Sequence, residues 1–212
     1  MTQLNDKSGN GNHLTPDGGT GPTLLEVNGA NWLDFESSTP TRLLGANADI
    51  NPGSGDIFAV FVFKTATSAR QGLLGKIPGT AHFGVYVAFS NSRSLTWRMR
   101  DTSAPNLLNA EHDNAGTDYT DDTPRIAGFS YDDSEADAHL YGGANDPTTA
   151  VYSNLVYSSG SISPTGNFYL GSWQGGETLD GQIAEVIFFD TIPGSSERSE
   201  LWDYLQEKWP GT

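Results

Sequence analysis

The sequence predicts an all-β sandwich or barrel finished by one helix, and three observations predict it. Hydrophobic residues recur mostly at every second position, where a helix would repeat them about every 3.6. The periodic segments are short and divided by clusters of Gly, Pro, Asn, Asp and Ser at roughly regular intervals. One stretch near the C-terminal end instead has apolar residues at helical spacing. With 212 residues the chain can form a core without staples, and it has no Cys to make any.

The elements follow in order. Asn28-Gly29 is a two-residue type I′ signal joining a strand over Leu24 to Val27 with one over Trp32 to Glu36. Ile57 to Phe63 is apolar on both faces, which predicts a central strand covered on each side. Gly72 to Lys76 is a further strand. Phe83, Val85, Val87 and Phe89 then alternate with His82, Gly84, Tyr86 and Ala88. Ser94 to Asp101 alternates most clearly, with Leu95, Trp97 and Met99 on one face and Thr96, Arg98 and Arg100 on the other. Strands are expected at Arg125 to Tyr131, Ala138 to Tyr141, Ala150 to Tyr157 and Asn167 to Gly171, and a second two-faced central strand at Ile183 to Phe189. The helix is Ser195 to Lys208, where Leu201, Trp202, Leu205 and Trp209 trace one face that should pack on the sandwich. Gly194 or Ser195 can cap it, and Glu197 suits its N-terminal dipole.

Charge narrows function. Against 26 Asp plus Glu stand 11 Lys plus Arg, a net charge of -15, so partners that demand clustered cations, nucleic acid and anionic lipid, are excluded as leading ideas. Without Cys there is no zinc-thiolate site and no thiol nucleophile. No run of 18 apolar residues predicts a spanning helix, and the first residues do not read as a signal peptide. The chain is therefore expected to be either a piece of a longer exported protein or a product that never uses that route.

Asn5-Asp6-Lys7-Ser8-Gly9-Asn10-Gly11-Asn12-His13 resembles the opening signature of bacterial and phage concanavalin A-like, laminin G-like jelly-roll domains. Leu179 to Asp190, followed by Ser196-Glu197-Arg198 and Leu205 to Trp209, is similar to the closing strand and terminal helix of that family, and Phe168 to Ser172 to the strand before them. The resemblance implies a single domain over residues 1–212 built as a two-sheet antiparallel jelly roll with a C-terminal helix. It implies less about function, since this fold carries lectins, carbohydrate-binding modules, glycanases, lyases, adhesion domains and virion proteins. Members often have a strand with an aromatic residue and an Asp ahead of the opening signature, and here only a few residues precede it.

Three chemistries come into question. For a metal, Asp6, Ser8 and Asn10 supply oxygens at positions one, three and five of a loop, with Gly11 at six and Asp17 at twelve, a loose echo of a calcium site without its terminal Glu or flanking helices. The alternative is an Asx-rich turn bonded to its own backbone. The acidic loop Asp113 to Asp122, with Asp118, Asp121 and Asp122, poses the same choice between calcium and a solvated loop. His13, His82, His112 and His139 lack zinc spacing. For catalysis, Glu185 and Asp190 are the tempting carboxylates, but five residues apart on a straight strand they face opposite ways. The acidic triplets of related glycanases, the motifs of jelly-roll alginate lyases, a Gly-x-Ser-x-Gly elbow and a phosphate loop are all absent. Glu185 is expected instead to hold a neighbouring loop or Arg.

For binding, Trp97 and Trp32 read as core, whereas Trp173 lies in the polar, Gly-rich stretch Ser172 to Glu177 with no evident reason to turn inward. Its roles are a sugar platform or a loop anchor. Arg98 and Arg100, with Arg93 nearby, form a cationic stripe suited to an acidic sugar or carboxylate, or else to pairing with acidic neighbours. Tyr86 and Tyr141 on polar strand faces could add rings to that surface. The first expectation is thus a non-catalytic module, displayed outside a cell or on a particle, that binds a glycan, polysaccharide or other surface ligand, with calcium as its candidate cofactor. The second is a structural phage virion protein, a capsid decoration or fibre component contacting virion neighbours. The third is a polysaccharide hydrolase or lyase.

Overall fold

The computed structural model describes residues 1–18, 20–27, 29–39, 41–45, 56–77, 82–88, 93–100, 107–112, 117–132, 134, 137–142, 150, 166–173 and 177–212, with backbone alone at 77, 82, 100 and 107–111. The expectations for Phe89, Asp101 and the segment after Ala150 lie outside these residues. In chain order the strands are β1 (Thr15–Pro16), β2 (Thr23–Val27), β3 (Ala30–Phe35), β4 (Leu43–Gly45), β5 (Ile57–Thr65), β6 (Gln71–Ile77), β7 (His82–Val87) and β8 (Leu95–Arg100). They continue as β9 (Leu107–His112), β10 (Arg125–Asp132), β11 (Asp137–Tyr141), β12 (Asn167–Leu170), β13 (Ser172–Trp173), β14 (Glu177–Thr178) and β15 (Gly181–Phe189), and the chain closes with helix α1 (Ser195–Lys208).

Among the described residues the strands form two stacked antiparallel sheets, a jelly-roll sandwich. One is ordered β1-β4-β12-β6-β7-β8-β9, the other β11-β10-β5-β15-β3-β2, and β13-β14 pair as a separate hairpin. Both strands that the sequence marks as apolar on each face, β5 and β15, pair at the middle of the second sheet. Their inner residues, Phe61, Phe63 and Ile183 among them, meet Val85, Trp97 and Met99 of the first sheet in the inter-sheet core, where Trp97 stacks on Phe129 at 4.8 Å. Their outer residues, Phe58, Val60, Val62 and Ile187, meet the helix residues Trp202 and Leu205, and Trp209 beyond the helix closes edge-on against Trp32 at 5.3 Å. A helix on one side and a sheet on the other is why neither face could be polar.

Local signals hold where their chemistry is local. Val27 pairs with Ala30 across a two-residue turn, and Gly29 takes the positive φ of +79° that such a turn needs. Gly194 caps α1 through its N–H, which donates to Glu197 Oε2 at 2.7 Å. β15 departs from simple alternation, because its register with β5 shifts between Ile183 and Glu185. A bulge there turns Glu185 outward beneath the helix.

Candidate functional site

The outer face of the first sheet carries the site. Alternation places Gly84, Tyr86, Thr96 and Arg98 on it, since Tyr86 opposes Thr96 and Gly84 opposes Arg98 while Val85 opposes Trp97 toward the core. Gly75 opposes Gly84 on the neighbouring strand. Two glycines side by side leave a floor without side chains, and the ring of Trp173 fills it. A Cβ on Gly84 would stand 2.5 Å from Trp173 Cζ3, and one on Gly75 3.2 Å from Cε3. Hence the indole lies against the backbone itself, 4.6 Å from the Tyr86 ring.

Trp173 is 8% exposed and Tyr86 fully buried, so neither ring is displayed to solvent, whereas the sequence predicts an open loop for Trp173 and a polar face for Tyr86. The physical reason is that the β13–β14 hairpin folds back over the sheet. Within it Trp173 pairs with Glu177, which brings the carboxylate to the same side as the indole, and Glu177 Oε1 accepts a hydrogen bond from Arg70 Nη2. Arg98, Glu177 and Arg70 all act electrostatically on the Tyr86 hydroxyl, whose proton is held chiefly by burial, which raises its pKa above the usual phenol range. The structure therefore brings together three residues that the sequence singles out separately, Trp173, Tyr86 and Arg98, and adds Arg70, Glu177 and Thr96. Nothing in the sequence links Arg70 or Glu177 to Arg98, because the link is a strand register and a fold-back. Arg100 follows two places along β8.

Other candidates are elsewhere. Tyr141 is buried on the opposite side of the molecule, at 3.1 Å from Ser130 Oγ beneath the helix and 5.6 Å from the Arg198 guanidinium, so it does not join this surface. Arg93 Nε lies 3.3 Å from Asp118 Oδ2. That ion pair belongs to the acidic loop, where Arg125 pairs with Asp121 at 2.8 Å and Lys64 with Asp122 at 3.2 Å. The chain's own cations thus answer the repulsion that calcium would otherwise relieve.

At the first candidate metal loop, Asp6 Oδ1 accepts from the Ser8 N–H at 2.7 Å, while Oδ2 accepts from the Ser8 hydroxyl at 2.7 Å and the Asn12 N–H at 3.0 Å. Ser8 Oγ in turn accepts from the Asn10 N–H at 3.2 Å. These bonds, the Ser8 N–H first, hold the Asp6 pKa down at about 2. Asp17 turns to Arg42 at 2.6 Å. Asp6 and Ser8 are therefore engaged in an Asx-rich turn, and Asp17 in a separate ion pair. Among the described residues no group of three or more His, Asp or Glu is placed to hold a metal ion.

Glu185 accepts from Trp209 Nε1 at 2.7 Å, Lys208 Nζ at 3.0 Å and the Tyr204 hydroxyl at 3.2 Å. It fastens the helix to β15, in place of the loop or Arg that the sequence suggests. An open cleft of about 500 Å³ at one end of the second sheet, where β3 ends and β15 begins, is lined by Asp34, Glu36, Asp122, Asp180 and Gln182.

No family model matches this sequence, and no curated protein does. Solved structures do match in fold. The binding domain of botulinum neurotoxin serotype G aligns with a TM-score of 0.74 at 13% identity, over 96% of this chain and 49% of that one. The binding domain of Paraclostridial Mosquitocidal Protein 1 gives 0.73 at 13% identity, over 94% and 49%. The botulinum neurotoxin serotype D ligand binding domain in complex with N-acetylneuraminic acid gives 0.70 at 12% identity, over 96% and 50%. This chain spans about half the length of these three, and the likeness is one of fold: its neighbours are jelly-roll sandwich binding domains.

Proposed function

We propose that this protein is a non-catalytic concanavalin A-like module that binds a glycan or similar surface ligand outside a cell or on a particle, and that the outer face around Arg98 is where it binds. The observation that carries the reading is the meeting of Arg98 with Tyr86, Trp173 and the Arg70–Glu177 pair on one face of a rigid sheet. A planar guanidinium beside ordered aromatic rings is suited to fixing a polar ligand in one orientation. The binding domains of similar fold, one of them in complex with N-acetylneuraminic acid, support a binding role. Glu185, spent on the helix, offers no acid or base.

A glycan array with and without EDTA, run on the wild-type protein and on Arg98→Gln, tests this. Saturable binding lost in Arg98→Gln is the expected result; binding that survives the substitution overturns the site. Loss with EDTA would support a calcium requirement, and retention would remove calcium from the proposal. The second reading, a virion assembly part, is favoured by β2, an edge strand on which Leu24 is 56% and Val27 38% exposed. Such an edge is open to a further strand. A blank array together with a defined oligomer in solution would favour it.

A further inference from the structure

Resting on the binding-module reading, we propose that the outer-face site takes a carboxylate-bearing sugar, and that Glu177 holds the place of the ligand's carboxylate until the sugar arrives. In a chain of net charge -15, the outer face sets Arg70 on the Glu177 carboxylate, and Arg98 and Arg70 both act on the Tyr86 hydroxyl. Two guanidinium groups on one patch of so acidic a molecule offer a ligand carboxylate planar forks to bind.

Glu177 is incompletely satisfied where it stands. Its Oε1 accepts from Arg70, but Oε2 is buried with no hydrogen-bond partner among the described residues. A buried carboxylate oxygen without a donor is costly, and native structures rarely leave one so without a reason. Thr96, fully buried on the same face, has a hydroxyl in the same condition. A sugar carboxylate presents the same planar pair of oxygens as Glu177, which Arg reads through its fork. The ring hydroxyls beside it stay at the exposed rim, since Thr96 and Tyr86 are fully covered. Neutral sugars bring the hydroxyls but nothing to displace Glu177.

The test is calorimetric titration of galacturonic acid, N-acetylneuraminic acid, galactose and glucose 6-phosphate into wild-type protein, Glu177→Gln and Arg70→Gln, each checked for native near-ultraviolet circular dichroism. Both acids should bind the wild type in preference to galactose and to the phosphate. Glu177→Gln should tighten the acids by about two- to fivefold, the worth of one partly exposed ion pair, and Arg70→Gln should weaken them by a similar factor. The two substitutions break the same ion pair, so if the pair merely clips the hairpin down, both will move affinity the same way, and the proposal falls. Equal binding of galactose or of glucose 6-phosphate to the wild type also overturns it, whether or not Glu177→Gln folds. An array positive for neutral glycans alone would end this proposal and leave the module reading intact, while a blank array ends both.

Discussion

Asp6 shows how much a single carboxylate can organise without any metal. Three donors from two later residues converge on it, and they favour the ionised form enough to hold its pKa at about 2, below the ordinary 3.8. A folded pKa below the unfolded one means stability that is complete above the unfolded value and is lost as pH falls through the folded value. Residues 6–13 should therefore loosen between about pH 4 and pH 2, before the sandwich core responds. Asp118, lowered first by the Thr120 hydroxyl and next by its N–H, adds the same sign in the acidic loop. Amide resonances of Ser8 and Asn12 followed down a pH titration would show it. In Asp6→Asn those resonances should lose their acid transition, and an unchanged transition would mean another group controls the turn.

At the scale of elements, helix α1 is joined to the sandwich by apolar packing and by one polar node. Trp202, Leu205 and Trp209 are buried against the outer side of the second sheet, while Glu185 takes hydrogen bonds from Tyr204, Lys208 and Trp209. Glu185→Ala leaves the half-buried Trp209 N–H without its acceptor, so the cost should reach about 1–3 kcal/mol, more than an exposed ion pair would give. Urea unfolding followed by tryptophan fluorescence measures it, and a change under about 0.5 kcal/mol would reduce the node to a surface contact. The helix itself is legible in sequence to its first and last residue, because its apolar face, its capping glycine and Glu197 all act within a few turns of one another. β5 and β15 are legible for the complementary reason, that a strand buried on both sides cannot hide its composition. The β13–β14 hairpin is not. Two-residue strands carry no period, and the seat that draws Trp173 inward is defined by what Gly75 and Gly84 lack. In sequence the polar face of β8 therefore reads as open to solvent, when a segment some 75 residues later covers part of it. Arg98, Tyr86 and Trp173 are each visible as candidates, but their meeting depends on strand register, which no single segment encodes.

For the molecule as a whole, two electrostatic effects oppose each other, and their balance is measurable. Ion pairs such as Arg42–Asp17, Arg125–Asp121 and Lys208–Glu185 draw opposite charges together locally, and salt weakens each of them by screening. Against them stands the self-repulsion of a chain with 26 Asp plus Glu and 11 Lys plus Arg, which salt relieves. Partly exposed pairs contribute about 0–1 kcal/mol apiece, and every basic side chain matched with a carboxylate still leaves a net charge of -15 to repel itself. Repulsion should win, so the thermal midpoint should rise as NaCl goes from about 10 mM to about 0.5 M, over which the Debye length shortens from roughly 30 Å to a few ångströms. Chloride is the better probe than sulfate, whose exclusion from protein surfaces stabilises folds for a different reason. Binding of an acidic sugar should follow the same logic in its kinetics. Long-range repulsion between an anionic ligand and this protein is screened at higher salt, so the association rate should climb with NaCl, opposite to the slope of proteins that bind nucleic acid. Were the midpoint to fall instead, the local pairs would outweigh the repulsion, and the acidic surface would have to be understood as a network held together by its few cations rather than as a shell of unrelieved charge.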